Sequence, residues 1–122
     1  MNRIKHRGYS LDKKKWIIGD LMQTDPNTTI IEGCDATNPA NFNWVDNESV
    51  GQFSTIVDIK EVEVFAGDIV KCSKGRNDVV EFKNGCFWLK YRNCSLYRYM
   101  FELQNTVEVI GNIYLNPEKV DQ

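Results

Sequence analysis

The sequence is poor in the residues that build metal and imidazole-based catalytic sites, since His6 is the one histidine in 122 residues. The four cysteines, Cys34, Cys72, Cys86 and Cys94, include no C-x-x-C pair, which is the usual spacing of zinc knuckles and redox motifs. We therefore expect four reduced thiols, no bound metal, no cofactor and no catalytic activity.

Long apolar runs are also lacking. No stretch approaches the roughly 18 apolar residues that a membrane-spanning helix needs, and the basic segment Met1 to Gly8 leads into no apolar run of the kind found in secretory signals. Apolar residues make up 42% and charged residues 26% of the chain, which is ordinary for a globular domain. These features predict a cytoplasmic protein that has no membrane partner.

The acidic and basic candidates for catalysis have simpler structural interpretations. His6 lies between Lys5 and Arg7, whose positive charges disfavour protonation of its imidazole, and we expect it on the surface of a strand. Asp68 follows Gly67 in a predicted turn, where an aspartate commonly accepts hydrogen bonds from its own backbone.

Charge is unevenly distributed along a chain whose formal net charge is −2. Residues 1–15 and 69–98 each carry a net +5, whereas residues 16–68 carry −9. The overall balance argues against tight, non-specific DNA binding. We favour the interpretation that basic and acidic segments lie side by side in the fold and partly neutralise each other.

Short β-branched and aromatic runs separated by turn residues predict a mainly β protein. A hairpin is expected at the N-terminus, and Gly19 is expected to interrupt its second strand. Residues 33–48 are predicted to form a loop that Phe42 and Trp44 attach to the rest of the protein. Residues 58–64 and 96–103 are compatible with either a strand or a helical turn. We expect a small barrel or roll, with an N-terminal β region at residues 1–60 and an SH3-like barrel at residues 61–122, the two forming one compact unit.

Asn84-Gly85 is the strongest hairpin signal in the sequence, because a type I′ turn needs positive φ at both central residues. The turn sets the register of its strands, and directly opposed residues share a side of the sheet. One side is then apolar and is predicted to be buried: Val80, Phe82, Phe87 and Leu89.

The opposite side of this hairpin is the predicted interaction surface, here called the hairpin face: Glu81, Lys83, Trp88, Lys90 and Arg92. An exposed tryptophan often marks a protein interface. We therefore expect a module that binds another protein or assembles with itself. The alternative is a single-stranded nucleic-acid site, in which Trp88 stacks on a base while Lys90 and Arg92 contact phosphates.

Four motifs in the same order resemble the YopX family of small proteins from phages and prophages. The first motif pairs Arg3-Ile4-Lys5-His6-Arg7 with Lys14-Lys15-Trp16-Ile17-Ile18-Gly19-Asp20-Leu21, and the others are Ser49-Val50-Gly51-Gln52-Phe53-Ser54, Val64-Phe65-Ala66-Gly67-Asp68-Ile69-Val70, and Val109-Ile110-Gly111-Asn112-Ile113-Tyr114-Leu115-Asn116-Pro117-Glu118.

The resemblance implies an SH3-like β domain in the C-terminal half and a phage or prophage origin, and it implies no enzymatic activity. One segment departs from the pattern, because residues 55–64 lack the family's usual Gly-Leu-Lys-Asp-Lys-Asn-Gly-Lys turn.

Overall fold

The computed structural model describes residues 4–24, 27–72, 75–91, 97–99 and 106–121. For Tyr91, for Tyr97 to Tyr99 and for Asp121 it describes the backbone alone. The described residues form antiparallel strands, and their helices are 3-10 turns of three to five residues. The predicted mainly β class is thus confirmed. No helix in these ranges is long and apolar enough to cross a membrane.

The chain forms two compact units, Met1–Phe53 and Ser54–Gln122, whereas the sequence placed the division between residues 60 and 61. The strands of the first unit follow the order β4-β3-β2-β1-β5. They are β1 (His6–Ser10), β2 (Lys15–Thr24), β3 (Asn27–Glu32), β4 (Phe42–Trp44) and β5 (Gly51–Val57), of which β5 continues into the second unit.

The predicted N-terminal hairpin is confirmed, but its second strand is longer than expected. Strand β2 runs for ten residues and passes through Gly19, which pairs with His6 of β1 and with Glu32 of β3. Gly19 is therefore a place where neighbouring backbones come close together, rather than the interruption that the sequence suggested. The side chains of Ile17 and Ile30 are fully buried in this unit.

The second unit contains β6 beside the end of β5, and a five-stranded sheet of order β10-β9-β8-β7-β11. The strands are β6 (Glu63–Phe65), β7 (Asp68–Lys71), β8 (Asn77–Lys83), β9 (Cys86–Tyr91), β10 (Tyr97–Tyr99) and β11 (Glu108–Asn112). The sequence was compatible with either a strand or a helical turn at residues 58–64 and 96–103. Each of these two segments contains residues of a short strand, β6 and β10.

A buried aspartate, Asp58, connects the loop after β5 to β11. Its Oδ1 accepts the backbone N–H groups of Lys60 at 2.8 Å and Val62 at 2.9 Å, and its Oδ2 accepts that of Val109 at 3.0 Å. A second buried aspartate, Asp68, accepts the N–H of Phe65 at 2.8 Å, as expected for a carboxylate in a turn.

The predicted register of the β8–β9 hairpin is confirmed: Val80 lies opposite Leu89, and Phe82 opposite Phe87. Asn84 and Gly85 form the turn with φ values of 54° and 78°. Val80 and Leu89 belong to the core of this unit, but Phe82 is 47% exposed and Phe87 is half-buried. The predicted burial of Phe82 is therefore wrong.

Phe82 lies near the tip of the hairpin, two residues before the Asn84-Gly85 turn. Its ring centroid lies 4.8 Å from that of Phe87 on the facing strand. Val80, two residues further from the turn on the same side, is fully buried, so the covered part of this side ends between Val80 and Phe82.

We expect Leu89→Ala to lower the free energy of unfolding by about 2–5 kcal/mol, because it leaves a cavity in the core. Phe82→Ala should cost at most about 1.5 kcal/mol, which is the worth of an aromatic pair on a partly exposed surface. Urea denaturation of both variants measures the difference. Equal losses would contradict the burial described here.

Candidate interaction surfaces

The hairpin face lies where the register predicted it. Glu81 pairs with Trp88, Lys83 with Cys86, and Val79 with Lys90, so these side chains share the side opposite Val80 and Leu89. This side is less polar than the sequence suggested, because Val79 is buried. Arg92 lies outside the described residues.

Two groups of the hairpin face, the Trp88 indole and the Lys90 ammonium, interact with other residues of the hairpin. The indole N–H of half-buried Trp88 donates to the carbonyl of Lys83 at 3.0 Å. The ammonium of Lys90 lies 3.7 Å from the carboxylate of Glu81, and about one third of each side chain is exposed. A phosphate at Lys90 would have to compete with that carboxylate.

A second surface, which the sequence did not single out, lies on β4 of the first unit. Side chains alternate between the two sides of a strand. Asn43 points inward and is 4% exposed, whereas Phe42 and Trp44 lie on the other side and are 38% and 68% exposed. The prediction that these two aromatics attach the 33–48 loop to the body is therefore wrong.

Backbone hydrogen bonds and one close contact hold this loop instead. The N–H of Val45 donates to the carbonyl of Thr28 at 3.0 Å, and that of Asp46 donates to the carbonyl of Tyr9 at 2.9 Å. Val45 also packs against Gly8, where a Cβ would lie 2.6 Å from a Val45 methyl. Trp44 is thus held on a fixed strand while its ring is exposed to solvent.

Two hollows flank Trp44, and together with Leu11 and Phe42 they form what we call the Trp44 surface. Leu11, in the β1–β2 turn, is 62% exposed. The first hollow, of about 210 Å³, is lined by Leu11, Asp12, Trp44, Val45 and Asp46. The second, of about 230 Å³, is lined by Ser10, Asp12, Lys13, Phe42, Asn43 and Trp44.

The polar lining of the two hollows differs. In the second hollow the ammonium of Lys13 donates to the side-chain oxygen of Asn43, so a cation and an amide are already paired there. The first hollow is lined by Asp12 and Asp46 together with the apolar residues Leu11 and Val45. Asp12 is shared by the two hollows.

The histidine does not line either hollow of the Trp44 surface. His6 is half-buried in β1; burial lowers the pKa of its imidazole, and the nearby Asp20 carboxylate opposes this shift without cancelling it. Burial, rather than the neighbouring Lys5 and Arg7, accounts for the shift. Within the described ranges, no group of three or more His, Cys, Asp or Glu residues could hold a metal ion.

The described cysteines do not form disulfide bonds with one another. Cys72 is buried, and Cys34 and Cys86 are half-buried. The thiol of Cys72 donates to the Asp78 carboxylate at 3.3 Å, and the guanidinium of Arg76 also binds this carboxylate. The fourth thiol, Cys94, lies outside the described residues.

Comparison with known proteins gives one family and a structural relative. The family model described as YopX protein matches residues 5–121. The crystal structure of protein EF1440 from Enterococcus faecalis is similar, with a TM-score of 0.60 and 21% sequence identity, over 98% of this chain and 99% of that one. At this identity the likeness shows a shared fold alone, and no curated protein matches. Because the family model matches nearly the whole chain, this chain belongs to the YopX family.

Proposed function

We propose that this chain is a non-catalytic accessory protein of a phage or prophage that acts in the cytoplasm of the bacterial host by binding another protein or a second copy of itself. One observation carries the proposal: Trp44 is 68% exposed although its strand pairs with β3 and the next two residues, Val45 and Asp46, are also bound through their backbone N–H groups. Exposed aromatic side chains on rigid elements are typical anchors of protein interfaces, since little conformational entropy is lost when they bind.

Neighbouring apolar groups support this function. Leu11 and Phe42 extend the apolar area around Trp44, and a cluster of exposed large apolar side chains is unusual on a soluble surface unless something binds there. In the second unit, short antiparallel strands joined by tight turns are compatible with the proposed SH3-like architecture.

Single-stranded nucleic acid is the weaker alternative. A stacking site needs an accessible ring and uncompensated cations, whereas Trp88 is half-buried and Lys90 lies beside Glu81. Binding of an oligonucleotide that weakens steeply with added salt would support this alternative instead.

We expect Trp44→Ala to weaken protein binding at least about tenfold, because a central aromatic anchor is lost. The chain is first used to select peptides from a random display library, and its mass in solution is measured across a concentration series. The selected peptides, or the self-association, are then compared between wild type and Trp44→Ala. Phe82→Ala is the matched control, since it removes an exposed aromatic of the second unit. It should leave peptide binding and self-association unchanged.

Two results would contradict the proposed function. Either the wild-type chain selects no peptide and stays monomeric at every concentration, or binding survives in Trp44→Ala. In both cases the exposed tryptophan would not be a binding anchor.

A further inference from the structure

We infer that a partner protein binds to the outer edge of β4 as an extended strand, which pairs with the backbone of Trp44 and carries apolar side chains at alternate positions. The inference rests on the proposed function and specifies the kind of segment that is bound. Strand β4 stands at one end of its sheet, where it pairs with β3. An edge strand can offer backbone N–H and C=O groups to an added strand.

The register of β4 on β3 shows which backbone groups point away from the sheet. In an antiparallel pair, opposed residues that exchange hydrogen bonds alternate with opposed residues that do not. The N–H of Val45 donates to the carbonyl of Thr28 at 3.0 Å, and in the same register Trp44 lies opposite Thr29. Trp44 and Thr29 are therefore a pair that exchanges no hydrogen bonds, so the N–H and C=O of Trp44 point outward.

The pairing of β3 with β2 leads to the same assignment. The N–H of Gly33 donates to the carbonyl of Ile18 at 3.1 Å, and β3 keeps this register along β2. Because alternate residues of a strand direct their backbone groups to the same neighbour, the N–H and C=O of Thr29 point to β2. They are thus directed away from Trp44, which leaves the backbone groups of Trp44 on the open edge.

Three backbone groups of this edge are available to a partner. Phe42 also points outward, but its N–H is used within the chain, because it donates to the carbonyl of Pro39. In the described part of the chain, the C=O of Phe42 and the N–H and C=O of Trp44 make no hydrogen bond on the outer side. The edge therefore presents an acceptor, a donor and a second acceptor in that order.

An antiparallel strand of another protein can bond to all three groups. Its residue opposite Trp44 exchanges two hydrogen bonds, and its residue opposite Phe42 donates the third. A second copy of β4 forms only two, whether Trp44 pairs with the other copy's Trp44 or with its Phe42. The reason is that the N–H groups of Phe42 and Asp46 already donate within the chain, to the carbonyls of Pro39 and Tyr9. The edge thus fits a separate extended segment better than a second copy.

The same geometry specifies the side chains of the bound segment. Directly opposed residues of an antiparallel pair have their side chains on the same side of the sheet. The partner residues opposite Trp44 and Phe42 therefore lie beside two rings that are 68% and 38% exposed. Leu11 and Val45 add apolar groups to the hollow next to Trp44. The partner residue between these two points to the other side of the sheet, so the bound segment has the pattern apolar, any residue, apolar.

The first experiment uses the full chain and the tightest-binding linear peptide that the display library yields. The peptide is synthesised with one backbone N-methyl group at each position in turn, which removes one N–H donor and keeps the side chain. We expect two positions separated by one residue to lose at least about fivefold in affinity, because each loses a hydrogen bond. N-methylation of the residue between them, whose N–H points away from β4, is the control and should have a much smaller effect. A scan without this alternation would overturn the inference.

The second experiment follows hydrogen exchange of the backbone amides of the full chain in NMR spectra. Saturation with the peptide should slow exchange of the Trp44 amide at least about tenfold, because its N–H becomes paired. The amide of Asp12 is the control, since Asp12 lines both hollows but is not on the edge strand, and its exchange should change far less. If the peptide shifts the indole N–H of Trp44 and leaves exchange of its backbone amide unchanged, strand pairing is overturned.

Failure of this inference can be distinguished from failure of the proposed function. If the selected peptides depend on Trp44 but their N-methyl scans show no alternation, the chain is a protein-binding module that does not use strand pairing. If the chain selects no peptide but self-associates through Trp44, the proposed function stands and the inference is overturned. If no peptide is selected and no self-association occurs, both fail.

Discussion

Asp58→Ala is expected to lower the free energy of unfolding by about 3–5 kcal/mol, as judged by urea denaturation. The carboxylate is 1% exposed and accepts the N–H groups of Lys60, Val62 and Val109. A buried donor that loses its acceptor costs about 1–3 kcal/mol. The total for the three donors is less than the sum of three such costs, because the N–H groups of the freed loop can partly bind water instead.

Asp35→Ala is the matched control for this prediction. Asp35 also accepts two hydrogen bonds from its own loop, from the N–H and the hydroxyl of Thr37, but it is exposed. Its loss should cost less than about 1 kcal/mol. Similar losses for the two variants would show that Asp58 does not hold the loop and β11 together.

Asp58→Asn isolates the bond to β11. Its single oxygen can still accept the N–H groups of Lys60 and Val62, but its NH2 group then faces the N–H of Val109, so one donor loses its acceptor. We expect Asp58→Asn to lower the free energy of unfolding, but by less than Asp58→Ala does.

The same residue gives the protein a defined response to acid. Burial raises the pKa of Asp58, but the N–H groups of Val109, Val62 and Lys60 outweigh this effect, and the pKa lies below its ordinary value in the folded protein. The stability from this carboxylate is then present above the unfolded pKa of about 3.9 and is lost as the pH falls through the folded pKa. The difference in the free energy of unfolding between wild type and Asp58→Asn should therefore become smaller as the pH falls from 5 towards 3.

Gly19→Ala is expected to cost more than about 3 kcal/mol, which is near the upper end for overpacking. An added Cβ would lie 1.8 Å from the carbonyl oxygen and 2.7 Å from the carbonyl carbon of Ile31. These are backbone atoms of the paired strand β3, so no rotation of a side chain relieves the collision. Denaturant unfolding followed by tryptophan fluorescence measures the loss.

Gly111→Ala provides the comparison for Gly19. There the added Cβ would meet side-chain atoms, the Asn116 Oδ1 at 2.8 Å and the Lys119 Cδ at 3.1 Å, and these can move by changing rotamers. We expect less than half the cost of Gly19→Ala. If Gly19→Ala loses less than 1 kcal/mol, the close approach of β2 and β3 described here is wrong.

The sequence predicted best where structure is set by neighbouring residues. Asn84-Gly85 fixed the register of β8 and β9 because both residues accept positive φ. The burial of Phe82 depends on how far other parts of the unit cover the hairpin, and no pattern within the hairpin contains that information. Gly19 was similarly misinterpreted, because its role comes from the approach of β3.

The candidate site could be anticipated in part. The register placed Glu81, Lys83, Trp88 and Lys90 on one side of the hairpin, as the structure has them. The pairing of Lys90 with Glu81 and the partial burial of Trp88 depend on side-chain geometry, which the register does not contain. Trp44 was misassigned because its neighbour Val45 forms the anchoring contact with Gly8. The alternation of Asn and aromatic residues in Asn41-Phe42-Asn43-Trp44 was the available signal, since it predicts one side inward and the other outward.

Trp44 is a wall shared by both hollows, and this makes their occupancy thermodynamically linked. A ligand in one hollow that selects particular rotamers of the indole also changes the shape of the other hollow. The affinity of a second ligand for that other hollow then changes, by the same factor in both directions. One partner segment that enters both hollows would need a single indole rotamer, whereas two separate ligands would each bind best to their own.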